Sequence, residues 1–178
     1  TLWVVNSGQD NITHYYKNGT EISSFDIPAA NNEGITYDNH LSPHFYIVSE
    51  GEYNDNTGTY QPRIEKFHGD TLEYDSRSWV DFNFNAESAH SGLEGISWVY
   101  RQDENYMLGV IESTGEVLVM VHDHEGDYWR CVDSMQVPAE FSDYSGMTVF
   151  IDNTLPIKTK TTTLTIAVTS QIDGKVWV

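Results

Sequence analysis

The chain has 178 residues, of which 9 are Lys or Arg and 27 are Asp or Glu, so its formal net charge is −18 at pH 7. This balance argues against nucleic acids and anionic membranes as partners, because both are held by clustered cations. Hydrophobic residues make up 39% of the chain and aromatic residues 13%, a composition that packs into a core. No apolar run approaches the ~20 residues of a membrane-spanning helix, so no membrane insertion is expected.

The predicted elements are β-strands almost throughout. Short runs of Val, Ile, Tyr, Phe, Trp and Thr alternate with Gly, Asn, Asp and Pro. In chain order the predicted strands are Leu2–Val5, Ile12–Tyr16, Glu21–Phe25, Glu33–Tyr37, Phe45–Glu50, Arg63–Phe67, Leu72–Asp75, Glu94–Trp98, Tyr106–Glu112, Glu116–Val121, Tyr128–Val132, Ser145–Val149, Leu164–Thr169 and Lys175–Val178. A single helical turn is expected at Ala139–Tyr144. The pairs Asn18-Gly19, Thr114-Gly115 and Asp173-Gly174 predict type I′ hairpin turns.

The chain contains an internal repeat. Glu33-Gly34-Ile35-Thr36-Tyr37 returns as Glu94-Gly95-Ile96-Ser97-Trp98 and, more weakly, as Ser145-Gly146-Met147-Thr148-Val149. Further strands follow each copy, which gives four strands per ~50 residues, the period of a β-propeller blade. The predicted fold is therefore all-β, a β-propeller segment of four-stranded antiparallel blades.

The predicted blades divide the chain into four segments. Residues 1–28 form a partial blade, 29–84 and 85–138 form whole blades, and 139–178 form a second partial blade. Fourteen strands are too few for the usual ring of six or seven blades, and a propeller closes to hide its strand edges. We therefore expect the ring to be completed by further blades of the same polypeptide or, alternatively, by other copies in a homo-oligomer.

The repeat resembles a known group of proteins. Asn32 to Asp38, followed by Phe45 to Glu50, is similar to a blade of the SdiA-regulated family of propellers, and the likeness continues through Glu94-Gly95-Ile96 and Val110-Ile111-Glu112. The opening residues from Leu2 to Gly8 resemble an NHL-type blade. The resemblance covers nearly the whole chain and implies a propeller. It implies little about function, because this architecture hosts many unrelated activities.

Four glutamates are the candidate metal ligands. Glu33 and Glu94 begin first strands, whereas Glu50 and Glu112 end second strands, so all four carboxylates are expected at the same face of the propeller. Crowded carboxylates repel one another, and Ca²⁺ with oxygen ligands relieves that repulsion. Calcium-dependent lactonase propellers, which look similar in outline, place a metal-binding glutamate at the same kind of Glu-Gly position. The alternative is that these glutamates accept backbone N–H groups between blades.

Three other segments have residue types suited to binding or catalysis. The long loop Gly51–Pro62 is rich in Asn and Asp, which could surround Ca²⁺, although a solvated loop is the simpler interpretation. His122-Asp123-His124 could hold a metal through two imidazoles, but a polar hairpin turn is the favoured interpretation. His90, just ahead of Glu94, is the candidate acid or base.

Two features bear on the cellular compartment. Asn11-Ile12-Thr13 and Asn18-Gly19-Thr20 are glycosylation sequons, which makes Asn11 and Asn18 candidate acceptors. The one cysteine, Cys131, cannot form an internal disulfide and is interpreted as a packed strand residue. An extracellular, secreted location is expected.

Three functions follow from these residues. The first is a non-catalytic extracellular propeller that serves protein–protein or structural assembly, with Ca²⁺ as a possible stabilising ion. The second is a Ca²⁺-dependent hydrolase of lactonase or phytase-like type centred on Glu33 and Glu94. The third is a carbohydrate-binding propeller lectin. The first is favoured, since no nucleophile elbow, P-loop or zinc pattern occurs.

Overall fold

The computed structural model describes residues 1–6, 10–27, 31–38, 40, 42–82, 92–101, 103–138, 141–151 and 164–178. Within these ranges the chain forms fourteen strands and no helix. The strands are β1 (Leu2–Asn6), β2 (Asn11–Tyr15), β3 (Glu21–Asp26), β4 (Asn32–Asp38), β5 (His44–Asn54), β6 (Thr59–His68), β7 (Tyr74–Asp81), β8 (Leu93–Arg101), β9 (Glu104–Ile111), β10 (Glu116–Asp123), β11 (Tyr128–Gln136), β12 (Gly146–Ile151), β13 (Leu164–Ser170) and β14 (Lys175–Trp177).

The strands form four antiparallel units in chain order. Unit 1 is β1-β2-β3, unit 2 is β4-β5-β6-β7, unit 3 is β8-β9-β10-β11 and unit 4 is β12-β13-β14. Within each unit, every strand pairs with the next along the chain, which is the connection that short hairpin loops allow. The predicted all-β fold class is confirmed: units 2 and 3 have four strands, and units 1 and 4 have three, as expected for whole and partial units.

Units 2 and 3 are joined into one eight-stranded sheet, which the sequence did not predict. Their last strands, β7 and β11, pair in parallel through Trp79↔Tyr128, Val80↔Trp129 and Asp81↔Arg130. The first strands, β4 and β8, also lie side by side, so the sheet folds over and nearly closes on itself. The parallel pairing satisfies the backbone groups of two strands that would otherwise both be edges.

Three hydrophobic cores separate the four units, and strand alternation explains them. Phe45 and Ile47 of β5 pack towards unit 1, whereas Tyr46 and Val48, one residue along, pack towards unit 3. In the same way, Met107 of β9 packs between units 2 and 3, and its neighbours pack towards unit 4. Side chains alternate between the two faces of a strand, so a strand between two units is apolar on both faces.

Four of the five tryptophans contribute to these cores. Trp3 packs in the core between units 1 and 2, Trp98 and Trp129 in the core between units 2 and 3, and Trp177 in the core between units 3 and 4. Trp79 instead lies under the Arg63 guanidinium, with Arg63 Cζ 5.2 Å from the centroid of the Trp79 ring.

The repeated motif fixes the contact between neighbouring units. A Cβ atom added to Gly34 would lie 2.9 Å from the Ile96 nitrogen, and one added to Gly95 would lie 2.5 Å from the Met147 nitrogen. Glycine is therefore required where first strands approach each other. Two residues beyond each glycine, a hydroxyl accepts an N–H from the next unit: Trp98 N donates to Thr36 Oγ1 at 2.9 Å, and Val149 N donates to Ser97 Oγ at 3.2 Å.

The predicted type I′ turns are wrong. A type I′ turn needs positive φ at both central residues, but only the glycines at 19, 115 and 174 have positive φ within their hairpins. In the first hairpin, Gly19 N donates to Tyr16 O at 2.9 Å, which makes a type I turn followed by a left-handed glycine. The Asn18 side chain accepts a hydrogen bond from the Thr20 N–H, and the Asn18 backbone does not adopt the left-handed conformation.

Two local predictions shift in position. The fourth strand of unit 2, predicted at Leu72–Asp75, begins at Tyr74 and runs to Asp81, because Leu72 has φ of +56° within the preceding turn. The helical turn predicted at Ala139–Tyr144 lies partly outside the described residues, and residues 141–144 are not helical.

Gly95→Ala should destabilise the protein by roughly 1–3 kcal/mol, because a methyl group there meets backbone that cannot rotate away. Gly146→Ala is the matched control at the equivalent position of unit 4, where the added carbon would meet only the Thr169 hydroxyl, 2.8 Å away. Urea denaturation of both variants measures the effect. Equal losses for the two variants would contradict the role given to the close strand approach.

Candidate metal centre

Two β-bulges contain the first pair of predicted glutamates, Glu33 and Glu94. In unit 2 the pairing of β4 with β5 shifts register between Asn32 and Gly34, and in unit 3 the pairing of β8 with β9 shifts between Leu93 and Gly95. Glu33 and Glu94 are the extra residues of these two bulges. A bulge removes its residue from the regular ladder and redirects the side chain, which explains why Glu-Gly occurs as a unit.

The second pair lies on the neighbouring strands: Glu112 directly follows β9, whereas Glu50, predicted to end its strand, lies inside β5 where the pairing with β6 shifts register between Ser49 and Glu52. Glu50 N donates to Asn31 O at 2.9 Å, and Glu112 N donates to Gly92 O at 3.2 Å. These two equivalent bonds tie each second strand to the start of its own first strand. A Cβ atom on Gly92 would lie 2.8 Å from the Glu50 carbonyl carbon, so units 2 and 3 are in backbone contact beside the glutamates.

The structure brings the predicted carboxylates together. One oxygen from each of Glu50, Glu94 and Glu112 lies within 4.8 Å of the others. Glu50 is buried, at 4% exposure, while Glu94 and Glu112 are half-buried. Glu33 lies outside this group of three, but it is close enough for its charge to act on Glu94.

Burial and the crowding of these carboxylates raise the pKa of Glu94. Burial and the neighbouring charges of Glu33, Glu112 and Glu50 raise its pKa from 4.5 to about 8. One carboxyl of the cluster therefore keeps its proton at neutral pH, which is the usual result when like charges share a site. A cation with oxygen ligands would replace that proton, and Ca²⁺ takes its ligands from carboxylates of this kind.

Asp143 is a neighbouring acid that the sequence analysis missed. Its side chain accepts hydrogen bonds from Ser170 Oγ at 2.6 Å and from the Ile172 and Gln171 nitrogens at 3.0 and 3.2 Å, and these bonds lower its pKa. Its charge adds to the rise in the pKa of Glu94. The available signal was its place in the repeat, two residues before Ser145-Gly146, which matches Asn31 and Gly92 in the earlier units.

The segment Gly51–Pro62 is not the loop that the sequence suggested. β5 continues to Asn54 and β6 begins at Thr59, so only residues 55–58 form the turn. Tyr53 packs edge-on against Tyr60 across the two strands, and Asn54 Nδ2 donates to Gln61 Oε1 at 2.6 Å. Cross-strand contacts of this kind extend the hairpin, so the prediction of a long loop over Gly51–Pro62 is wrong.

The remaining candidates are separate from the carboxylates. His90 lies outside the described residues, so its role as an acid or base stays a prediction. His122 and His124 lie at the far end of β10, whose first residue, Glu116, is at the carboxylate end of unit 3. Cys131 is a half-buried strand residue, as predicted, and burial raises the pKa of its thiol. The described part of the chain contains no helix long and apolar enough to cross a membrane.

Comparison with protein-family models and with curated proteins gave no match for this chain. The resemblance to SdiA-regulated and NHL propellers accordingly stays a prediction that depends on the short motifs quoted above.

The free energy of unfolding should depend on the Glu94 proton. The unfolded chain loses this proton near pH 4.5 while the folded chain keeps it to about pH 8, so stability should fall as the pH rises through that window. Without metal, wild type should lose roughly 1–2 kcal/mol relative to Glu94→Gln between these limits, a value reduced for solvent screening at a half-exposed group. Urea denaturation at a series of pH values measures it.

Glu21→Gln, an exposed glutamate at the start of β3, is the control for that series. It should follow the wild-type pH dependence. If Glu94→Gln also follows it, the raised pKa of Glu94 is refuted.

Proposed function

We propose that this chain is a non-catalytic binding module of the β-propeller type, in which a divalent cation, Ca²⁺ by its chemistry, stabilises the junction between units 2 and 3. The observation that carries the proposal is the convergence of Glu50, Glu94 and Glu112 from two units. A cation there would link the two units and neutralise a cluster that otherwise needs a proton.

The assembly part of the proposal rests on the two terminal sheets. Units 2 and 3 are packed on both faces, but unit 1 and unit 4 each have one outer face. Leu2 and Val4 of β1 are 55% and 45% exposed on the outer face of unit 1, and Phe150 and Val176 are 56% and 62% exposed on that of unit 4. Apolar side chains at these positions suit contact with further units of the same kind.

We place the protein outside the cell. The support is the pair of glycosylation sequons, of which only the second is exposed to solvent. Asn18 and Thr20 are exposed in the first hairpin turn, whereas Asn11 is half-buried at the start of β2 and Thr13 is buried at 7% exposure. Asn18 is therefore the acceptor that a glycosylating enzyme could reach.

The second candidate function is a Ca²⁺-dependent hydrolase, and the raised pKa of Glu94 favours it. A carboxyl that stays protonated at neutral pH beside ionised carboxylates is the arrangement that general acid catalysis uses. The binding module remains the better-supported function, because Glu94 is explained by the cation site alone. The lectin alternative has less support, because none of the five tryptophans is exposed and the exposed aromatic rings are those of tyrosines and Phe150.

Calcium should stabilise the wild-type protein by about 2.7 kcal/mol when its concentration is a hundred times the dissociation constant. Glu94→Gln and Glu112→Gln should lose most of this gain, because each removes one carboxylate ligand. Urea denaturation with Ca²⁺ or with a chelator measures the effect, and Glu21→Gln is again the control. Equal stabilisation of all four proteins, or none in wild type, would refute the cation site.

The same proteins separate the two candidate functions. Incubated with a lactone and with inositol hexaphosphate as probe substrates, a hydrolase would lose activity on chelation and in Glu94→Gln. A binding module would show no turnover under any of these conditions, while its calcium stabilisation persists.

Self-association should depend on the outer faces of the terminal sheets. Sedimentation equilibrium should show wild type gaining mass with concentration, and Phe150→Asp with Val176→Asp should reduce that gain by placing charge on the face. Val132→Asp is the control, because Val132 is 44% exposed on β11 and away from both terminal sheets. A wild-type protein that stays monomeric at all concentrations would contradict assembly through copies of this chain.

A further inference from the structure

A pair of histidines lies at the end of the molecule opposite the glutamates. His122 lies near the end of β10, and His124 directly follows the last residue of that strand, so that the centroids of the two rings are 4.6 Å apart. Their Nδ1 atoms are 3.1 Å apart. Eight residues of extended strand separate the ends of β10, so the pair lies on the order of 20 Å from the Glu112 end of unit 3.

The hairpin after β10 holds this geometry. Asp123 Oδ1 accepts the Glu125 and Gly126 N–H groups at 3.0 and 3.2 Å, which closes the turn, and Asp127 has φ of +54° as the chain enters β11. An aspartate that caps its own turn in this way fixes the direction of the residues on either side.

Hydrogen bonds from unit 2 orient the His122 ring. Ser78 Oγ donates to Asp127 Oδ1 at 2.8 Å, and it is 3.1 Å from His122 Nε2. Because the serine hydrogen is used by the carboxylate, His122 Nε2–H must be the donor to Ser78 Oγ. The lone pair of His122 is therefore on Nδ1, directed at His124. A ligating histidine typically donates its other N–H to such a partner.

We propose that His122 and His124 bind one borderline transition-metal ion, of the Zn²⁺, Ni²⁺ or Cu²⁺ class, through their two Nδ1 atoms. With metal–nitrogen bonds of 2.0–2.1 Å, two nitrogens on one ion are roughly 2.9 to 3.4 Å apart for right-angle to tetrahedral geometry. The observed 3.1 Å lies inside that range. Imidazole nitrogen suits these ions, whereas the carboxylate oxygens at the other end suit Ca²⁺.

The site is open on the side of a cavity. A cavity of about 440 Å³ between units 2 and 3 is lined by both histidines together with Tyr46, Trp129, Asp103 and Glu104. In the part of the chain that the structure describes, the only group of three potential ligand residues within 4.8 Å of one another is the glutamate cluster, so the histidine pair supplies two ligands. The other coordination positions would be filled by water or by a small co-ligand from the cavity.

Metal binding competes with one hydrogen bond. When no ion is bound, a His124 Nδ1–H group can donate to the His122 lone pair across the same 3.1 Å. The ion replaces that proton, and His124 then carries its hydrogen on Nε2. The Ser78–Asp127 pair stays in place in both states, since it contacts only His122 Nε2.

Cu²⁺–iminodiacetate is a suitable probe, because the chelate occupies part of the coordination sphere and leaves neighbouring positions for two imidazoles. Calorimetric titration at about pH 7.5, where imidazole is largely neutral, should show one site in wild type. His122→Gln and His124→Gln should each weaken binding at least about 10-fold. Ser78→Ala should also weaken it, by about 10-fold, as loss of an orienting partner does.

His68→Gln, which replaces an exposed histidine that does not line the cavity, is the matched control and should bind the probe like wild type. His124 is exposed, so His124→Gln should keep the wild-type circular dichroism spectrum and isolate the ligand effect from folding. Excess Ca²⁺ and Glu94→Gln should leave probe binding unchanged, which separates this site from the carboxylates. Unaltered affinity in His124→Gln, or an equal loss in His68→Gln, would overturn the proposal.

Discussion

The close approach of the first strands of neighbouring units is the constraint on which the rest of this structure depends. β4 and β8 come together only because Gly34 has no side chain, and β8 and β12 only because Gly95 has none. The hydroxyls of Thr36 and Ser97 then accept backbone N–H groups from the next unit, which satisfies strand edges that would otherwise be unpaired. The three cores fill the space that these contacts define.

The carboxylate cluster is a consequence of that same packing. Because the first strands are close, Glu94, the extra residue of its bulge, lies beside Glu50 and Glu112. The three carboxylates are therefore close together in a partly buried site. The protein must then hold either a proton or a cation there, since three ionised carboxylates in one site repel strongly. The carboxylate cluster, whose charge depends on pH and on bound cations, therefore lies at the junction between units 2 and 3, which are packed on both faces.

The two ends of units 2 and 3 differ in the ligand chemistry they offer. Carboxylate oxygens come together where β8 begins and β9 ends, and imidazole nitrogens come together where β10 ends. Hard and borderline cations prefer these two donor types respectively. The proposed calcium site would stabilise the contact between units, and the proposed transition-metal site opens to the cavity between them, so the two sites suit different tasks.

The sequence by itself determined the strands and their grouping, because alternation of side chains and the repeated Glu-Gly-Ile-Ser/Thr motif are local properties. It also placed Glu33, Glu50, Glu94 and Glu112 at one end, since that follows from strand direction. The turn types were mispredicted, because Asn18 hydrogen-bonds to the backbone and leaves the positive φ to Gly19.

Only the tertiary structure decided which side chains meet. The parallel pairing of β7 with β11, the nearness of Asp143 to Glu94 and the contact of Ser78 with His122 each join residues more than 40 positions apart in sequence. Such contacts depend on how whole sheets pack, and no local pattern encodes that packing. For this reason the sequence predicted a face with four glutamates, while the folded chain decided that Glu50, Glu94 and Glu112 converge and that Glu94 carries the proton.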